Sequence, residues 1–590
     1  MKDSPTNAGI KRGNRRIWNH LVRTTRLTPV ITVLLILVLA GRQYGSAQTT
    51  PQPGDLDPTF GTGGKVTTEF NGLGDGINSV AIQSDGKIVA GGFATSATTG
   101  LDFALARYNT DGSLDTTFGT GGKVTTDFFG GTDAISGIVI QPDGLIVVCG
   151  YAFEVTPPQT PEVSNFALAR YNVDGTLDST FGTGGKVTTG FSGSIDQGFG
   201  LALQSNGQIV VAGKAEFPTT MDDFALARYN ADGSLDTTFG SGGKVTTDFF
   251  GGQDTAFGVV IQSDGAIVAG GEEENLAGTE GEFALARYDT NGSLDSSFGS
   301  AGKVTTSFFG NFDEVLDLAL QSNGQIVAGG FDSTDAAPMV SFNFSPSNNF
   351  ALARYNSDGS LDSTFGTGGK VTTDVGSMDR AVGLAIQTNG DLVAGGLSFN
   401  SSSTMEFALA RYTTSGALDT TFGTGGEVTT EFDGFGDKIL RVAIDASGNI
   451  VAGGSSTQPS AAGITEPGKT AFALARYIGT APAPPPPQPN FSLSFAESSV
   501  SIARGKKDTV QLNVTRTGGF TGEVTITGPS PAVKGLKATN VPLSISGSSG
   551  NVTIKVKSGA AEGTDQLTFT GTDSTGKIVQ TATLSVTVTK

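Results

Sequence analysis

An all-β protein built from repeats is predicted by three features of the 590-residue sequence. The segments LDxTFGTGGKVTT and FALARY each occur seven times, with small changes, in alternating order between residues 56 and 477. A third segment, such as VAIQSDGKIVAGG at Val80–Gly92, lies between them in each repeat. The repeats follow one another at about 60 residues, a length that suits four short strands and no helix. A seven-bladed β-propeller with one four-stranded blade per repeat fits these numbers.

Each repeat is assigned four strands: a (VAIQ), b (KIVAGG), c (FALARY) and d (LDxTFG). Between strands a and b, Asp85-Gly86 predicts a type I′ hairpin turn, in which both central residues need a positive φ. Asp111-Gly112 predicts a second hairpin, between strands c and d. The Gly-rich stretch after strand d leads into the next repeat.

The two ends of the repeat region are complementary. The region begins with a lone d strand at Leu56–Phe60 and ends with a lone a-b-c set from about Leu440 to Tyr477. Pairing of the two ends would complete the seventh blade and remove two exposed sheet edges. The alternative, an open β-solenoid, has no need of such complementary ends.

The motif FALARYNxDGSLDTTFGxGGKV resembles the delta-60 repeats of bacterial exported proteins, over residues 56–477. The resemblance implies a propeller fold and an extracytoplasmic location, and it implies no activity. The last repeat departs most from the motif, with Glu427 in place of Lys, Ser415-Gly416 in place of Asp-Gly and Asp445 in place of Gln.

Residues 1–47 are predicted to be a signal peptide. A long basic segment precedes the eleven-residue apolar core Val30–Ala40, and Gly45-Ser46-Ala47 supplies small residues for cleavage. A membrane anchor is the alternative, but a spanning helix needs about 20 apolar residues. We therefore expect an exported protein, secreted, periplasmic or at the cell surface, with no transmembrane segment in the mature chain.

The composition after residue 47 excludes several functions. The mature chain holds 29 basic and 55 acidic residues, a balance that argues against nucleic-acid binding. The single histidine, His20, lies in the leader, so Ser-His-Asp catalysis and histidine-ligated metals are excluded. Cys149 is the one cysteine, which excludes an intrachain disulfide, and we expect it to be a small buried residue.

The C-terminal region has a different character. Residues 480–490 contain TAPAPPPPQPN and predict a semi-rigid linker after a propeller at 48–479. Residues 491–590 alternate apolar and polar positions between Gly/Ser turns, which predicts an Ig-like β-sandwich without a disulfide. The region 491–590 has a net charge of +4, against −30 for 48–490.

Each repeat places an arginine of strand c and an aspartate of the LD dipeptide across one hairpin. Such pairs are expected to be structural ion pairs, with anion binding as the alternative. The predicted pairs are Arg107–Asp115, Arg170–Asp178, Arg228–Asp236, Arg287–Asp295, Arg354–Asp362 and Arg411–Asp419, and Arg476 is the corresponding arginine of the last repeat.

A further aspartate lies six residues before the second residue of the Val-Ala-Ile pattern in every repeat. If strand a is innermost, these residues surround one mouth of the channel. Each either accepts backbone N–H bonds in the turn or contributes to a binding site, with calcium as the metal that oxygen ligands would suit. These residues are Asp75, Asp133, Asp196, Asp254, Asp313, Asp379 and Asp437.

No constellation of catalytic residues stands outside the repeats. We therefore expect a monomeric, non-catalytic binding or scaffold protein that requires no cofactor and presents a loop face to a glycan, a protein or another envelope partner. The b–c loops 151–165, 331–349 and 455–471 are the longest and are expected to carry specificity. The acidic run Glu272–Glu274 is assigned to another b–c loop as solvated surface. The alternatives are a glycan hydrolase or lyase that uses paired carboxylates, and a purely structural or adhesive surface protein.

Overall fold

The computed structural model describes residues 51–480 and 490–590, apart from 72, 155–162, 192–193, 218–220, 276, 278–279, 309–311, 334–347, 433–435 and 458–468. The predicted leader, most of the predicted linker and the tips of the three longest loops lie outside the described residues. The chain divides into two compact units, Met1–Ala481 and Pro482–Lys590.

The first unit consists of short strands and turns. Its strands are β1 (Lys65–Thr68), β2 (Asp75–Ile82), β3 (Ile88–Ser96), β4 (Gly100–Tyr108), β5 (Lys123–Thr126), β6 (Asp133–Ile140), β7 (Ile146–Glu154), β8 (Val163–Tyr171), β9 (Lys186–Thr189), β10 (Asp196–Leu203), β11 (Ile209–Phe217), β12 (Met221–Tyr229), β13 (Lys244–Thr247), β14 (Asp254–Ile261), β15 (Ile267–Glu274), β16 (Gly281–Tyr288), β17 (Lys303–Thr306), β18 (Phe312–Leu320), β19 (Ile326–Ser333), β20 (Asn348–Tyr355), β21 (Lys370–Thr373), β22 (Ser377–Ile386), β23 (Leu392–Phe399), β24 (Met405–Tyr412), β25 (Glu427–Thr430), β26 (Lys438–Ile444), β27 (Ile450–Thr457) and β28 (Thr470–Tyr477).

Four-stranded antiparallel sheets repeat along this unit. Consecutive strands pair in chain order, from β2-β3-β4-β5 through to β22-β23-β24-β25, and one parallel bridge links the sheet that ends in β17 to the sheet that begins with β18. The final sheet has the order β1-β28-β27-β26, so the first strand of the unit pairs with its last. This all-β arrangement of repeated sheets is consistent with a β-propeller.

The hydrophobic core lies between neighbouring sheets. One cluster packs Phe103 and Leu105 of β4 against Ile135 of β6 and Val148 of β7. The first strands of successive sheets contact one another in the order β2, β6, β10, β14, β18, β22 and β26. β26 in turn contacts β2, which closes the succession of contacts.

The fourth strand of each sheet differs from the sequence prediction. It is formed by KVTT, as in Lys123–Thr126, which pairs with FALA of β4. The predicted strand LDxTFG makes a single bridge, Leu114 to Tyr108, and then turns away. The turn forms because the Asp115 carboxylate accepts hydrogen bonds from the N–H and hydroxyl of Thr117.

The turn between strands a and b also differs from the predicted type I′. Gly86 has a φ of 84°, whereas Asp85 is not among the residues with positive φ. Gly86 N–H donates to Gln83 O, and Gln83 N–H donates to Lys87 O. These bonds define a type I turn followed by a left-handed glycine, so one positive φ is sufficient.

The second unit contains two sheets around one core. Its strands are β29 (Asn490–Phe495), β30 (Ser499–Ala503), β31 (Lys507–Thr517), β32 (Val524–Thr527), β33 (Leu536–Ala538), β34 (Leu543–Ile545), β35 (Ser549–Val556), β36 (Gly563–Asp573) and β37 (Val579–Thr589). The sheets have the orders β29-β31-β35-β33 and β30-β37-β36-β32-β34. Apolar side chains of both sheets, such as Leu512 and Leu567, belong to the same buried cluster. Throughout both units, the described segments include no helix with the length and apolarity that a membrane crossing requires.

Candidate functional site

Two sets of aspartates recur in the sheets of the first unit, and they have different surroundings. The corner aspartates follow strand c, at the turn into KVTT. The strand-start aspartates lie at or near the beginning of strand a. The corner aspartates are Asp57, Asp115, Asp178, Asp236, Asp295, Asp362 and Asp419. The strand-start aspartates are Asp75, Asp133, Asp196, Asp254, Asp313, Asp379 and Asp437.

Each corner aspartate lies against the arginine of its sheet. Arg107 Nε donates to Asp115 Oδ2 at 2.8 Å, and the equivalent distances in the other pairs are 2.8–2.9 Å. The arginine also stacks on the phenylalanine of TFG, with 4.6 Å from the Arg107 guanidinium carbon to the Phe118 ring centroid. Its Nη1 donates to a backbone carbonyl of the next repeat, Val173 O.

These contacts satisfy the corner carboxylates. Hydrogen bonds from the hydroxyl and the N–H of Thr364 and from Arg354 hold the pKa of Asp362 at about 2, against the effect of burial. The arginines use their remaining donors on the protein itself, which leaves little of the guanidinium for an external anion. The arrangement holds strand c, the following turn and the next sheet together.

The strand-start aspartates are buried as well, with 1% exposure or less. The sequence predicted that they surround the mouth of a channel, where they either cap a turn or bind a ligand, and their place at a channel mouth stays a prediction. One oxygen caps the turn that leads into the strand: Phe128 N–H donates to Asp133 Oδ2 at 2.7 Å. Asp379 accepts from Val375 instead, and the other five accept from the phenylalanine five residues earlier.

The second carboxylate oxygen of each strand-start aspartate, Oδ1, is buried without a hydrogen-bond partner in the described part of the chain. The charge is therefore poorly compensated, and burial raises the pKa of every member of the set. Burial raises the pKa of Asp313 to about 6. For Asp133, burial and the nearby carboxylates Asp127 and Asp102 raise the pKa to about 7.

Two strand-start aspartates belong to clusters of three carboxylates. Cluster 1 consists of Asp102, Asp127 and Asp133, and cluster 2 consists of Asp223, Asp248 and Asp254. Within each cluster, one oxygen from every residue lies within 4.8 Å of the others. The search for such groups covered the described residues only, and no ion is present in the computed structure.

Sequence reasoning did not single out four of these six residues. Asp102 precedes FALARY and Asp127 follows KVTT, positions that hold Asn165 and Gly190 in the next repeat. A comparison of the repeats position by position would have found them, because both positions are aspartate in only two repeats.

A second group of carboxylates also departs from the repeat. Glu272–Glu274 lies in strand β15, not in a loop as the sequence analysis assigned it, and Glu273 is buried. Burial and the nearby Glu314 of β18 raise the pKa of Glu272. Burial also raises the pKa of Glu314, and the guanidinium of Arg380 partly opposes that effect.

Cys149 is fully buried, as the sequence predicted. Burial raises the pKa of its thiol to about 12, so the reactive thiolate does not form near neutral pH.

Two matching clefts occur between neighbouring sheets at the ends that carry the a–b turns. The first, of about 760 Å³, is lined by residues that include Gln83, Arg107 and Gln141. The second, of about 750 Å³, is lined by residues that include Gln204 and Arg228 at equivalent positions. Both are lined by polar side chains together with apolar residues such as Ile82 and Leu203.

Comparison with known families gives a match to the repeats. Six segments match the family model "Domain of unknown function (DUF5122) beta-propeller": residues 83–118, 141–181, 204–239, 262–298, 339–365 and 387–422. No sequence among the curated proteins matches the chain.

Similar solved structures resemble the chain only weakly. The S-layer protein SbsC domains 4 and 5 are 18% identical, covering 35% of this chain and 92% of that chain, with a TM-score of 0.13. Sucrose-6-phosphate hydrolase from Lactobacillus gasseri is 10% identical, covering 77% and 97%, with a TM-score of 0.26. A GH43_12 protein from a capybara gut metagenome is 9% identical, covering 76% and 85%, with a TM-score of 0.25. TM-scores this low carry no argument about function. The six segment matches and the repeated four-stranded sheets support a β-propeller family for the repeat region.

Proposed function

We propose that the protein is an exported, non-catalytic binding protein whose propeller holds a hydroxyl-rich ligand, such as a glycan, in clefts between its blades. In this proposal residues 48–479 form a seven-bladed propeller of delta-60 repeats. A linker at 480–490 joins it to an Ig-like module at 491–590. The closed succession of contacts from β2 to β26 and back supports the ring.

The observation that carries the binding proposal is the pair of matching clefts. Amide, hydroxyl and guanidinium groups line both, including Gln204, Ser205 and Arg228 in the second cleft. Their volumes of about 750 and 760 Å³ lie within the range of small-molecule sites. Amide and hydroxyl groups both donate and accept hydrogen bonds, which suits the hydroxyl groups of a sugar. The repeated Arg–Asp pairs are engaged internally, and so are Gln208 in the second cleft and Lys87 in the first. The ligand would therefore be held by other groups, such as Ser84 and Ser205.

A glycan array and a polysaccharide pull-down with the full chain would test this proposal. Ser84→Trp and Ser205→Trp would place a bulky ring at equivalent exposed positions of the two clefts. We expect saturable binding by the parent chain, loss of binding in the double Trp variant and normal binding in the matched Ser84→Ala/Ser205→Ala variant. Binding that survives in the Trp variant, with the fold intact, would contradict a site in the clefts.

The alternative function is a carboxylate-dependent glycan hydrolase or lyase. One observation bears on it: Glu272 and Glu314 do not repeat in the other sheets, and burial and mutual repulsion raise the pKa of Glu272. A general acid in a glycosidase has such a raised pKa. Release of reducing sugar that stops in Glu272→Gln and Glu314→Gln variants would favour the enzyme. Binding without product would favour the binding protein.

A further inference from the structure

We propose that cluster 1 and cluster 2 are two binding sites for a hard divalent cation such as Ca²⁺, each at the boundary between neighbouring sheets. Cluster 1 draws Asp102 from β4, Asp127 from the residue after β5 and Asp133 from the start of β6. Cluster 2 draws Asp223, Asp248 and Asp254 from the equivalent positions two repeats later. A cation at either site would connect one sheet to the next.

The first argument is an unused oxygen in each cluster. The Asp133 side chain is 0% exposed, and its Oδ1 has no hydrogen-bond partner among the described residues, while Oδ2 accepts the turn N–H. Asp254 has the same arrangement, with 0% exposure, a bond from Phe249 N–H to Oδ2 and an unpartnered Oδ1. A buried carboxylate oxygen without a donor is costly unless a cation or a proton satisfies it.

The second argument concerns the lysines that lie beside the clusters. The ammonium group of Lys186 donates a hydrogen bond to the backbone carbonyl of Asp127, with 3.0 Å from Nζ to O. Lys303 donates in the same way to the backbone carbonyl of Asp248, also at 3.0 Å. In cluster 1, no described lysine or arginine nitrogen lies within ion-pair distance of the three carboxylates. The three carboxylates of cluster 1 therefore share a small volume with no described lysine or arginine nitrogen at ion-pair distance.

The third argument comes from the repeats themselves. Along the chain, one sheet boundary lies between those that hold cluster 1 and cluster 2. There Asp196 caps its turn and has an unpartnered Oδ1 in the same way. The positions that correspond to Asp102 and Asp127 hold Asn165 and Gly190 there. One aspartate is thus sufficient to cap the turn. The cap does not require the two additional carboxylates of each cluster, although Asp127 and Asp248 each accept one turn N–H of their own through Oδ1.

The donor set indicates the class of ion. Three carboxylates supply only oxygen ligands, and Ca²⁺ takes six to eight oxygens from carboxylates, carbonyls and water. Histidine and cysteine, which favour zinc and copper, are absent from both clusters. Asp127 is half-buried, which leaves a side from which an ion and its waters would enter.

Calorimetric titration of CaCl₂ into the chelator-treated full chain tests the proposal. We expect about two Ca²⁺ bound per chain, one for each group of three carboxylates. Asp127→Asn should remove one ion, and Asp127→Asn/Asp248→Asn should remove both. Asn keeps the Oδ1 that accepts from Gly130 N–H or Gly251 N–H, so these variants should retain their folds.

The matched control is Asp196→Asn, which changes a strand-start aspartate that belongs to neither group of three carboxylates found among the described residues. This variant should bind as many Ca²⁺ ions as the parent, and the circular dichroism spectrum of each variant should match that of the parent. The proposal is overturned if the folded parent binds no Ca²⁺. It is equally overturned if the double variant keeps both ions or if Asp196→Asn loses one.

Discussion

The corner aspartates and the strand-start aspartates are the same side chain in two different buried environments. At the corner, Asp362 accepts from Arg354 at 2.9 Å and from Thr364 at 2.7 Å. At the start of strand a in the same sheet, Asp313 accepts one turn N–H at 2.6 Å and has an unpartnered Oδ1. The pKa of Asp362 is about 2 and that of Asp313 is about 6, on opposite sides of the ordinary value.

The difference separates a stabilising charge from a costly one. A buried carboxylate with an arginine and several donors favours folding as an anion, and removal of one partner leaves the other charge uncompensated. A buried carboxylate that has no arginine partner and one oxygen without a donor gains little from its charge, because the cap needs only an oxygen. The repeat therefore carries one aspartate whose charge supports the fold and one whose charge opposes it unless a cation binds.

The largest effect is expected for Arg476→Ala. Arg476 binds Asp57 across the joined ends of the repeat region, at 2.8 Å, and donates to Thr110 O of the next repeat. Removing it leaves Asp57 buried without its cation, which should lower the free energy of unfolding by about 3–5 kcal/mol. Hydrogen exchange should also accelerate in residues 55–68, because β1 pairs with the strand that carries Arg476.

The control for this variant is Arg228→Ala, which breaks the equivalent pair inside one continuous repeat. Its loss of stability should be similar, while residues 55–68 remain protected from exchange. Equal acceleration of exchange at 55–68 in both variants would show that the joined ends have no special dependence on Arg476.

The next effect comes from one substitution made at both kinds of aspartate in a single sheet. Asp362→Asn removes the charge that Arg354 binds and should cost about 1–3 kcal/mol of unfolding free energy at pH 7. Asp313→Asn keeps an oxygen for Phe308 N–H and removes an uncompensated charge, so stability should be unchanged or higher. Urea unfolding without divalent cations measures both. A comparable loss in the two variants would contradict the distinction between the sets.

Much of the fold followed from the sequence, because a repeat shows its boundaries seven times. The strands a, b and c carry strong apolar patterns, and repeated four-stranded sheets were predicted from them. The fourth strand was assigned wrongly because KVTT is only four residues long, as at Lys123–Thr126. The neighbouring LDTTFG looked more like a strand, although Asp115 bends it into a turn.

The candidate site was less accessible to sequence reasoning. A search for shared positions finds what every repeat contains, such as Asp133 and its equivalents. Cluster 1 depends on Asp102 and Asp127, which lie where the repeats differ. They also lie near Asp133 only because two sheets pack together, and the sequence of a single repeat does not reveal that packing.

The two sets should also respond to pH in opposite directions. The pKa of Asp362 is lowered in the fold, so its stabilisation is complete above about pH 4 and is lost as the pH falls towards 2. The pKa of Asp313 is raised, so its contribution is most favourable below about pH 4 and is lost as the pH rises through 6. Melting temperatures of the parent and the two Asn variants from pH 2 to 8 isolate each contribution. We expect Asp362→Asn to weaken the dependence of melting temperature on pH below about pH 4, and Asp313→Asn to weaken it between about pH 4 and 6. The reverse result would refute the opposite pH responses of the two sets.

The smallest effect is expected for Thr364→Ala, which leaves the arginine of the corner in place. The Thr364 hydroxyl donates to Asp362 Oδ1 at 2.7 Å, alongside the backbone N–H of the same residue. Losing one hydrogen bond to a charged, largely buried group should cost about 1 kcal/mol, less than the loss of the charge itself. The pKa of Asp362 should rise, so the acid-induced loss of stability should begin at a higher pH than in the parent.

Ser360→Ala is the matched control, because Ser360 makes the same bond to Asp358 at 2.6 Å in an exposed turn without an ion pair. Its effect should stay within about 0.5 kcal/mol. If Thr364→Ala and Ser360→Ala lower the free energy of unfolding equally, the Thr364 hydroxyl stabilises only the turn. The stabilisation by the Asp362 charge would then not depend on that hydroxyl.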